Sequence, residues 1–429
     1  MPEYKKKKHS KLAAKPKRVK KSRIKPKEET AEIKMAPTLK RKRPSTPKEK
    51  MKVVKGNKGE NLRKLKIGAI AAAVVILIVA LFQIFLPVGV FDSISNALSL
   101  IGSGSYPIEL EGTQTLNCVN KNSYYYILSN SHISAYSNSG KELFSYAHGF
   151  ENPVLKTSSS RALVFNQGSN QALIFDLAKL KSNIKTEKPI ITAAISDSGA
   201  YAIATYSDKY ATAVSVYNKR GKMVYEWYSA EDTVNNVAIS PNGKKIAVST
   251  FSAGVGKFNS KISVLGFKSP TAEWSESFDG SLVYEIDSTH PSYFAVATSN
   301  KVKFVRWSGY KTKVYENEYN TAFFRAGKGG YIAVFNRDND KTDNRIAFFN
   351  KSGKLKAEIK YNGILSDIRT YGGHIYCMSE TDISLINKEG EVIRDASCGF
   401  GAVKIAVRSS NSVAVITDNK IEKVELERE

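Results

Sequence analysis

Short apolar runs alternate with polar turns along the chain beyond residue 105. A strand rich in β-branched or aromatic residues, a polar turn containing Gly, and a second strand recur at regular intervals. The clearest copies are Ile133–Phe144, Val214–Tyr225, Ile346–Ala357 and Ile383–Arg394. Counted through the weaker copies to Ile421, the spacing is about 41 residues, the period of a four-stranded propeller blade. The pattern therefore predicts an all-β propeller.

Each repeat contains a second pair of strands upstream of this hairpin. One example is Val234–Gly243 followed by Lys245–Thr250. The turns at Asn242 and at Asp197–Gly199 contain residues that tolerate positive φ, as hairpin turns require. Continuous apolar runs such as Tyr201–Ala204 are typical of inner strands covered on both faces. Four strands per repeat follow.

Eight units are counted by their first strands, and seven blades with an extra packed hairpin is the alternative. The units begin near Thr115, Pro153, Pro189, Thr233, Ser281, Thr321, Ile364 and Ala402. The last unit has only three strands. We therefore predict that Tyr106–Glu111 supplies its missing outer strand, which would remove an exposed sheet edge. The propeller domain is assigned to residues 106–429.

An apolar segment without charge precedes the repeats, from Ile67 to Phe91. A bilayer core of roughly 30 Å needs about 20 helical residues, and Ile67–Leu86 supplies them before Pro87. A cleaved signal peptide is the alternative, but the long leader and long apolar core favour an uncleaved anchor. The sequence predicts a transmembrane helix within residues 67–90, in contact with membrane lipid through Ile67–Leu86. Residues 91–105 are then expected to form a short linker.

The charge of the chain is concentrated in residues 1–66. This segment holds 26 Lys and Arg against 6 acidic residues, whereas the remaining chain has 39 against 34. Its low apolar content predicts disorder. Such a tail can bind anionic lipid head groups, or nucleic acid, or only hold the amino end in the cytoplasm. The positive-inside rule then predicts an extracytoplasmic propeller, and its near-neutral charge argues against nucleic acid as its ligand.

The turn pattern resembles the repeats of WD40-like and quinoprotein-like propellers. Those repeats place a docking Trp shortly after the Gly. Here the corresponding positions hold Phe144, Tyr225, Ala357 and Arg394. Quinone binding is therefore not carried over, and Trp227 and Trp274, in fourth-strand positions, are predicted to pack between blades.

Anchor and propeller together resemble a Gram-positive membrane-anchored family known only as a domain of unknown function. The features that carry this resemblance are Ser103–Leu110, Asn152–Thr157 and Ser240–Gly243. The resemblance implies the propeller fold and no activity.

Motifs that would carry chemistry are absent from the sequence. It contains no phosphate-binding loop, no paired-His metalloprotease helix and no Gly-x-Ser-x-Gly elbow. Outside the tail the histidines are His132, His148, His290 and His374, without metal-like spacing. We predict no catalytic, cofactor-binding or metal-binding residues.

A cluster of aspartates and three cysteines are the remaining candidates for metal binding or disulfide formation. Asp338, Asp340 and Asp343 fall in a predicted hairpin loop, where they could hold Ca²⁺, although the spacing lacks the calcium-loop Gly and Glu and a solvated loop is favoured. Cys118, Cys377 and Cys398 are interpreted as small apolar fillers rather than disulfide partners.

Recognition is the function that these features favour. A rigid closed scaffold with long loops, such as Ser252–Lys261, predicts a single-pass membrane protein that binds a protein or a cell-envelope polymer as a scaffold or sensor. Two rivals remain, a cell-envelope enzyme with its site in the propeller channel, and a transmembrane signalling protein that uses the basic tail.

Overall fold

Short strands with turns between them form the sheets that the repeat pattern predicts. The computed structural model describes residues 58–85, 90–110, 113–177, 179–254, 257–337 and 340–428. Two compact units are distinguished, residues 1–64 and residues 65–429. Of the first unit only the helical residues 58–64 are described, so the predicted disorder of the basic tail falls almost entirely outside the described residues, as do Leu86 and Pro87.

Within the described part of the chain two helices precede the sheets, α1 (Lys58–Phe85) and α2 (Val90–Ser99). Helix α1 begins within the segment assigned to the basic tail and continues through most of the predicted anchor. No helix within the described residues has both the length and the apolar character needed to cross a membrane. Helix α2 occupies most of residues 91–105, so the segment expected to be a simple linker is folded.

The first four blades are consecutive antiparallel meanders, whose strands we call A, B, C and D from the channel outwards. Blade 1 comprises β2 (Thr115–Asn120), β3 (Tyr124–Ser129), β4 (His132–Ser137) and β5 (Glu142–Ala147). Blade 2 comprises β6 (Pro153–Thr157), β7 (Ala162–Asn166), β8 (Gln171–Phe175) and β9 (Leu180–Lys185). Blade 3 comprises β10 (Ile190–Ile195), β11 (Tyr201–Tyr206), β12 (Thr212–Tyr217) and β13 (Met223–Ser229). Blade 4 comprises β14 (Thr233–Ile239), β15 (Lys245–Gly254), β16 (Lys257–Gly266) and β17 (Trp274–Asp279).

The second half repeats the pattern until the last blade. Blade 5 comprises β18 (Val283–Asp287), β19 (Tyr293–Thr298), β20 (Lys301–Arg306) and β21 (Thr312–Glu316). Blade 6 comprises β22 (Asn320–Gly327), β23 (Gly330–Arg337), β24 (Asp340–Asn350) and β25 (Leu355–Asn362). Blade 7 comprises β26 (Asp367–Tyr371), β27 (His374–Met378), β28 (Asp382–Ile386) and β29 (Val392–Ser397). Blade 8 comprises β30 (Lys404–Ser409), β31 (Ser412–Ile416), β32 (Lys420–Glu425) and, as its outer strand, β1 (Ile108–Glu109).

The eight-blade count is therefore confirmed, and the seven-blade alternative is wrong. Strand β1 pairs antiparallel with β32, with Ile108 opposite Ile421. The predicted closure by the segment before blade 1 is thus correct, and among the described residues of that segment Ile108 and Glu109 form the ladder. Pairing the first strand with the last leaves the ring without an open edge at this seam.

Apolar clusters lie between every pair of neighbouring blades. The cluster between blades 1 and 2 contains Tyr126 and Phe175, and the one between blades 8 and 1 contains Tyr125 and Ile421. These four side chains are fully buried. Since each inner strand is covered on both faces, its apolar run need not alternate with polar residues, as predicted for Tyr201–Ala204.

One predicted loop proves to be part of a sheet. Residues Ser252–Lys261 were expected to be a long loop, but β15 and β16 stay paired out to Gly254 opposite Lys257. A comparable extension brings Arg337 opposite Asp340 in blade 6. Blades 4 and 6 therefore project long hairpins, because the ladder hydrogen bonds continue beyond the level at which the other blades turn.

Candidate functional site

The inner strands bring charged side chains from different blades into the channel. Lys156 lies on β6, Glu285 on β18 and Arg325 on β22. Burial raises the pKa of the Glu285 carboxyl, and the positive charges of Lys156 and Arg325 oppose that rise. Burial likewise lowers the pKa of Arg325. Charged groups of blades 2, 5 and 6 therefore act on one another across the centre of the ring.

Lys121 lies at the end of the channel where strands A and B are joined. Burial lowers the pKa of its ammonium group to about 8, and the carboxylates of Asp197 and Asp287 act in the opposite direction. Asp197 itself accepts a 2.6 Å hydrogen bond from the backbone N–H of Ser159 in the neighbouring blade. This end of the channel thus holds a lysine whose charge is destabilised by its surroundings.

A buried ion pair joins the blades where the ring closes. Arg369 Nη2 lies 2.8 Å from Asp367 Oδ2 and also donates to the Cys118 carbonyl at 3.1 Å. Its Nε donates to the Ile405 carbonyl at 3.1 Å. The guanidinium therefore links blade 7 to blades 8 and 1 through three acceptors, a structural use of charge.

The turns of the blades fall on two opposite ends of the ring. Because neighbouring strands within a blade are antiparallel, the A–B and C–D turns lie at one end and the B–C and D–A connections at the other. Hydrogen bonds between A–B turns of adjacent blades show that these turns lie at the same end. The Ser198 N–H donates to the Pro241 carbonyl at 3.0 Å, and the Gly372 N–H donates to the Lys328 carbonyl at 3.2 Å.

The A–B and C–D turns form a basic face. Among their described residues 14 are Lys or Arg and 5 are acidic. The basic residues are Lys121, Lys141, Arg161, Lys179, Lys219, Arg220, Lys222, Lys244, Lys268, Lys311, Lys328, Lys351, Lys354 and Lys388. Two of the acidic residues are paired with lysines of adjacent strands, Asp176 with Lys181 at 3.3 Å and Glu273 with Lys245 at 2.7 Å. These two carboxylates are therefore neutralised by lysines that the count of turn residues does not include.

The B–C and D–A connections form an acidic face. Among their described residues only 2 are basic, Lys188 and Lys209, whereas 8 are acidic. The acidic residues are Glu151, Glu187, Asp208, Glu231, Asp232, Glu318, Glu380 and Asp418. The propeller thus separates opposite charges onto its two ends.

Large apolar side chains are exposed on the acidic face. Phe400 is 85 % exposed, at the tip of the connection between blades 7 and 8, and is flanked by Gly399 and Gly401 with positive φ. Ile364 and Leu282 lie exposed in two other D–A connections. Phe258 is 61 % exposed beside the tip of the long blade 4 hairpin. Exposed apolar groups rimmed by polar residues mark interaction surfaces.

Two arginines enclose a tyrosine at the base of the blade 6 hairpin. The guanidinium carbons of Arg337 and Arg345 lie 5.3 and 5.2 Å from the ring centroid of Tyr319. Arg345 Nη1 lies 2.8 Å from Asp343 Oδ1, and Arg337 donates to the Tyr319 hydroxyl at 3.0 Å. A cavity of about 290 Å³ adjoins this cluster, lined by Glu318, Tyr319, Asn320 and Arg337.

The carboxylates considered for Ca²⁺ are engaged with protein groups. Asp343 is paired with Arg345, and Asp340 accepts hydrogen bonds from the backbone and the hydroxyl of Thr342 at 2.9 and 2.5 Å. Asp338 lies outside the described residues. Among the residues described, no group of three His, Cys, Asp or Glu side chains is placed to hold a metal ion.

The linker and α2 pack on the basic face of blades 1 and 2. Lys141 Nζ donates to the carbonyls of Ser99 and Ile101 at 2.9 and 2.6 Å, which satisfies the carboxyl end of α2. Gly104 lies so close to Gly140 that a Cβ would collide with the backbone. A cavity of about 480 Å³ opens beside this contact, with Tyr106 and Arg408 in its wall.

The three cysteines are buried, as predicted for small apolar side chains. All three are free thiols, and burial raises the pKa of Cys118 to about 12 and also raises those of Cys377 and Cys398.

Two of the histidines have local structural contacts. His148 Nδ1 accepts from the Phe150 N–H at 2.9 Å, and burial lowers its pKa. Burial also lowers the pKa of His290, whose ring contacts Tyr331 edge-on.

The two predicted tryptophans do pack between blades. Trp227 is partly buried against the cluster between blades 3 and 4, and Trp274 stacks on Tyr310 with ring centroids 6.1 Å apart. The charged faces are not predicted from the sequence, because residues far apart in the chain form each face. The signal was present in the turns, but it can be read only after each turn is assigned to an end of its blade.

Comparison with solved structures places the chain among β-propellers. The C-terminal WD40 domain of Sif2 superposes with a TM-score of 0.52 at 10 % identity, over 75 % of this chain and 97 % of that one. BamB from Moraxella catarrhalis superposes with a TM-score of 0.48 at 14 % identity, over 76 % of this chain and 99 % of BamB. The dihydro-heme d1 dehydrogenase NirN superposes with a TM-score of 0.49 at 10 % identity, over 76 % of this chain and 81 % of NirN. At these identities the likeness to the Sif2 domain shows the fold alone.

Sequence comparisons add a family but no activity. No curated protein matches the chain. The model of a protein family described as of unknown function matches residues 104–426, the propeller with the end of its linker.

Proposed function

The chain belongs to DUF5711, a family of unknown function, and on that premise we propose that it is a membrane-anchored propeller that binds another protein as a scaffold or sensor. The observation that carries the proposal is the acidic face with its exposed apolar residues, foremost Phe400. Loops held on a rigid ring form a preorganised surface, which lowers the entropic cost of binding.

The charge of this face favours one kind of ligand. Eight acidic against two basic residues in its described turns attract a basic surface and repel polyanions such as nucleic acid or a phosphate-rich envelope polymer. Phe400 and Ile364 would supply apolar contacts at the centre of such an interface, where aromatic side chains contribute most. The partner that fits best is a protein with a basic rim around an apolar pocket.

A membrane anchor is part of the proposal. It is supported by the uncharged sequence Ile67–Leu86 and by the exposure of the apolar side chains in the described part of α1, for example Ile70 at 65 % and Ile76 at 69 %. An apolar helix without a protein covering is stabilised by lipid. The 26 basic residues of the preceding segment favour a cytoplasmic amino end, attracted to anionic head groups, and an extracytoplasmic propeller.

The proposed role requires no chemical step, so it assigns no catalytic residue. A photo-crosslinking amino acid at position 400 or 364, introduced into the full chain in intact cells, should give an adduct of the same mass from both positions. The same amino acid at Ser308, exposed on the basic face, is the matched control and should not give that adduct. Adducts that do not differ between the faces would contradict the proposed recognition surface.

Topology is tested separately. Ser299 is exposed in the B–C turn of blade 5, and the native cysteines are buried. A Ser299→Cys variant should react with a membrane-impermeant maleimide on whole cells. Labelling that appears only after the cells are opened would show that the propeller lies inside.

A further inference from the structure

Helix α2 presents an uncovered apolar stripe. Ile94 and Leu98 lie one turn apart on α2, and Ile101 continues this spacing two residues beyond the end of the helix, where its N–H donates to the Leu98 carbonyl at 3.1 Å. The three side chains are 50, 59 and 66 % exposed. The opposite side of the helix is covered, since Asn96 is 8 % exposed and Leu100 packs against the cluster between blades 1 and 2. The helix is therefore amphipathic, with its apolar side directed away from the propeller.

The position of this stripe is fixed by contacts to the C–D turns of blades 1 and 2. Asn96 Oδ1 accepts from the Leu177 N–H at 3.3 Å, and Lys141 holds the carboxyl end of the helix. Both turns belong to the basic face. The exposed apolar stripe and the 14 basic residues of that face are thus at the same end of the propeller.

We propose that the basic face of the propeller lies on the surface of an anionic lipid bilayer, with the stripe Ile94, Leu98 and Ile101 inserted at the head-group level. The proposal rests on the membrane anchor proposed above. It adds a second, peripheral membrane contact made by the folded domain itself.

Three observations point to lipid as the occupant. The stripe begins within ten residues of Leu86, where the proposed anchor ends, so the chain brings it to the membrane surface. An amphipathic helix beside clustered Lys and Arg has the composition of an interfacial contact. A polyanion such as nucleic acid would be attracted by the charge, but it would not bury the three exposed aliphatic side chains. Charge and apolar surface together select a bilayer with anionic head groups.

The arrangement has a consequence for recognition. With the A–B and C–D turns against the lipid, the acidic face with Phe400 points away from the membrane. A bound propeller would hold its recognition surface at a fixed height and orientation, instead of tumbling at the end of a linker.

The test compares two positions of one blade. Ser308 lies exposed in the C–D turn of blade 5 and Ser299 exposed in its B–C turn, so the two serines mark the two faces. Single Ser308→Cys and Ser299→Cys variants of the full chain, each carrying an environment-sensitive fluorophore, are reconstituted in nanodiscs of phosphatidylcholine with or without phosphatidylglycerol. Nitroxide head-group lipids then report proximity by quenching.

We expect at least threefold stronger quenching at position 308 than at 299 in anionic nanodiscs, and a loss of that difference in pure phosphatidylcholine. Exchanging Lys219, Arg220 and Lys222 together for Glu should reduce quenching at 308, as should Leu98→Ser. These substitutions are at surface positions, and the exposure of Ser299 in the same variants controls for folding.

Equal quenching at both positions, or quenching indifferent to lipid charge, would overturn the proposal. Protection of position 308 by soluble polyphosphate but not by anionic lipid would overturn it in favour of a polyanion. Extraction of the full chain from vesicles by alkaline carbonate would instead contradict the transmembrane anchor, which separates failure of the anchor from failure of the surface contact.

Discussion

Arg369 shows how single residues hold the ring together. Arg369 is 8 % exposed and Asp367 is fully buried, so neither charge is solvated by bulk water. The pair is stable because Arg369 also reaches the carbonyls of Cys118 and Ile405, and Asp367 Oδ2 accepts from the Ile405 N–H at 3.2 Å. Removing either partner would leave the other charge buried without compensation.

An Arg369→Met substitution should lower the free energy of unfolding by about 3–5 kcal/mol, since it leaves the Asp367 carboxylate unpaired. Urea unfolding monitored by tryptophan fluorescence measures the loss. Arg220→Met on the exposed basic face is the control and should change stability by no more than about 0.5 kcal/mol. A loss at Arg369 no larger than at Arg220 would contradict the assigned role.

Lys121 makes stability depend on pH. Its pKa in the folded protein is about 8, against about 10.4 in an unfolded chain, so between these values the unfolded state binds more protons. Stability from this group should therefore rise with pH from about 8 to 10, by at most about 1.4 kcal/mol per pH unit. The measurement is the difference in unfolding free energy between the parent protein and Lys121→Met across this range. Tyrosines with raised pKa act oppositely but cancel in this difference, and a difference that does not change with pH would contradict the shift.

Strand β1 is the element that joins the ends of the ring. Ile108 and Glu109 pair with β32, and Ile108 also packs into the cluster between blades 8 and 1. Glu109 is exposed on the other side of the strand. A two-residue ladder contributes little by itself, so its effect comes from the apolar contact and from covering the edge of β32.

An Ile108→Asp substitution should destabilise the propeller by about 2 kcal/mol or more, because it removes apolar contacts and places a charge against the cluster. Thermal unfolding by circular dichroism measures this as a lower melting temperature. Glu109→Gln, one residue along the same strand, is expected to melt like the parent. If both variants melt alike, the closing strand has no part in stability.

At the scale of the whole molecule, the stability of the ring depends on an unbroken series of contacts between neighbouring blades. Each blade buries its apolar residues only against two neighbours, and the last cluster joins blade 8 to blade 1. Contacts between the ends of the domain, such as Asn120 Nδ2 to the Val407 carbonyl at 3.0 Å, have no counterpart in an open array. Opening the ring at any blade therefore exposes two apolar surfaces.

Truncation before Lys420, which removes β32, should prevent formation of blade 8 and expose the facing surfaces of blades 7 and 1. We expect an aggregating or protease-sensitive chain, and limited proteolysis with size-exclusion chromatography distinguishes it from the parent. Removal of only Arg428 and Glu429, beyond the last strand, is the control and should leave a resistant domain. A resistant product from the longer truncation would show that seven blades suffice.

Much of this architecture could be predicted from local sequence. Strand hairpins such as Val214–Tyr225 are determined by neighbouring residues, and the glycines of their turns, for example Gly221 with φ +78°, mark the reversals directly. The extended hairpin of blade 4 was missed, because Ser252 and Asn259 form a ladder through tertiary alignment rather than through a distinctive pattern. Helix α2 was missed because ten residues between an apolar segment and a Gly-rich stretch give a weak helical signal.

The sequence by itself determined the period of the repeats and the segment that supplies the closing strand, since these follow from contacts between residues near in the chain or from a missing strand that only one segment can supply. The structure decided between eight blades and seven, because the count depends on which strands pair. Only the tertiary structure decided which turns share a face. The propeller region is nearly neutral in sum, and its charge becomes informative once antiparallel pairing sends alternate turns to opposite ends. Charge separation of this kind depends on three-dimensional proximity. A count of charged residues along the sequence adds the two faces together and therefore does not reveal it.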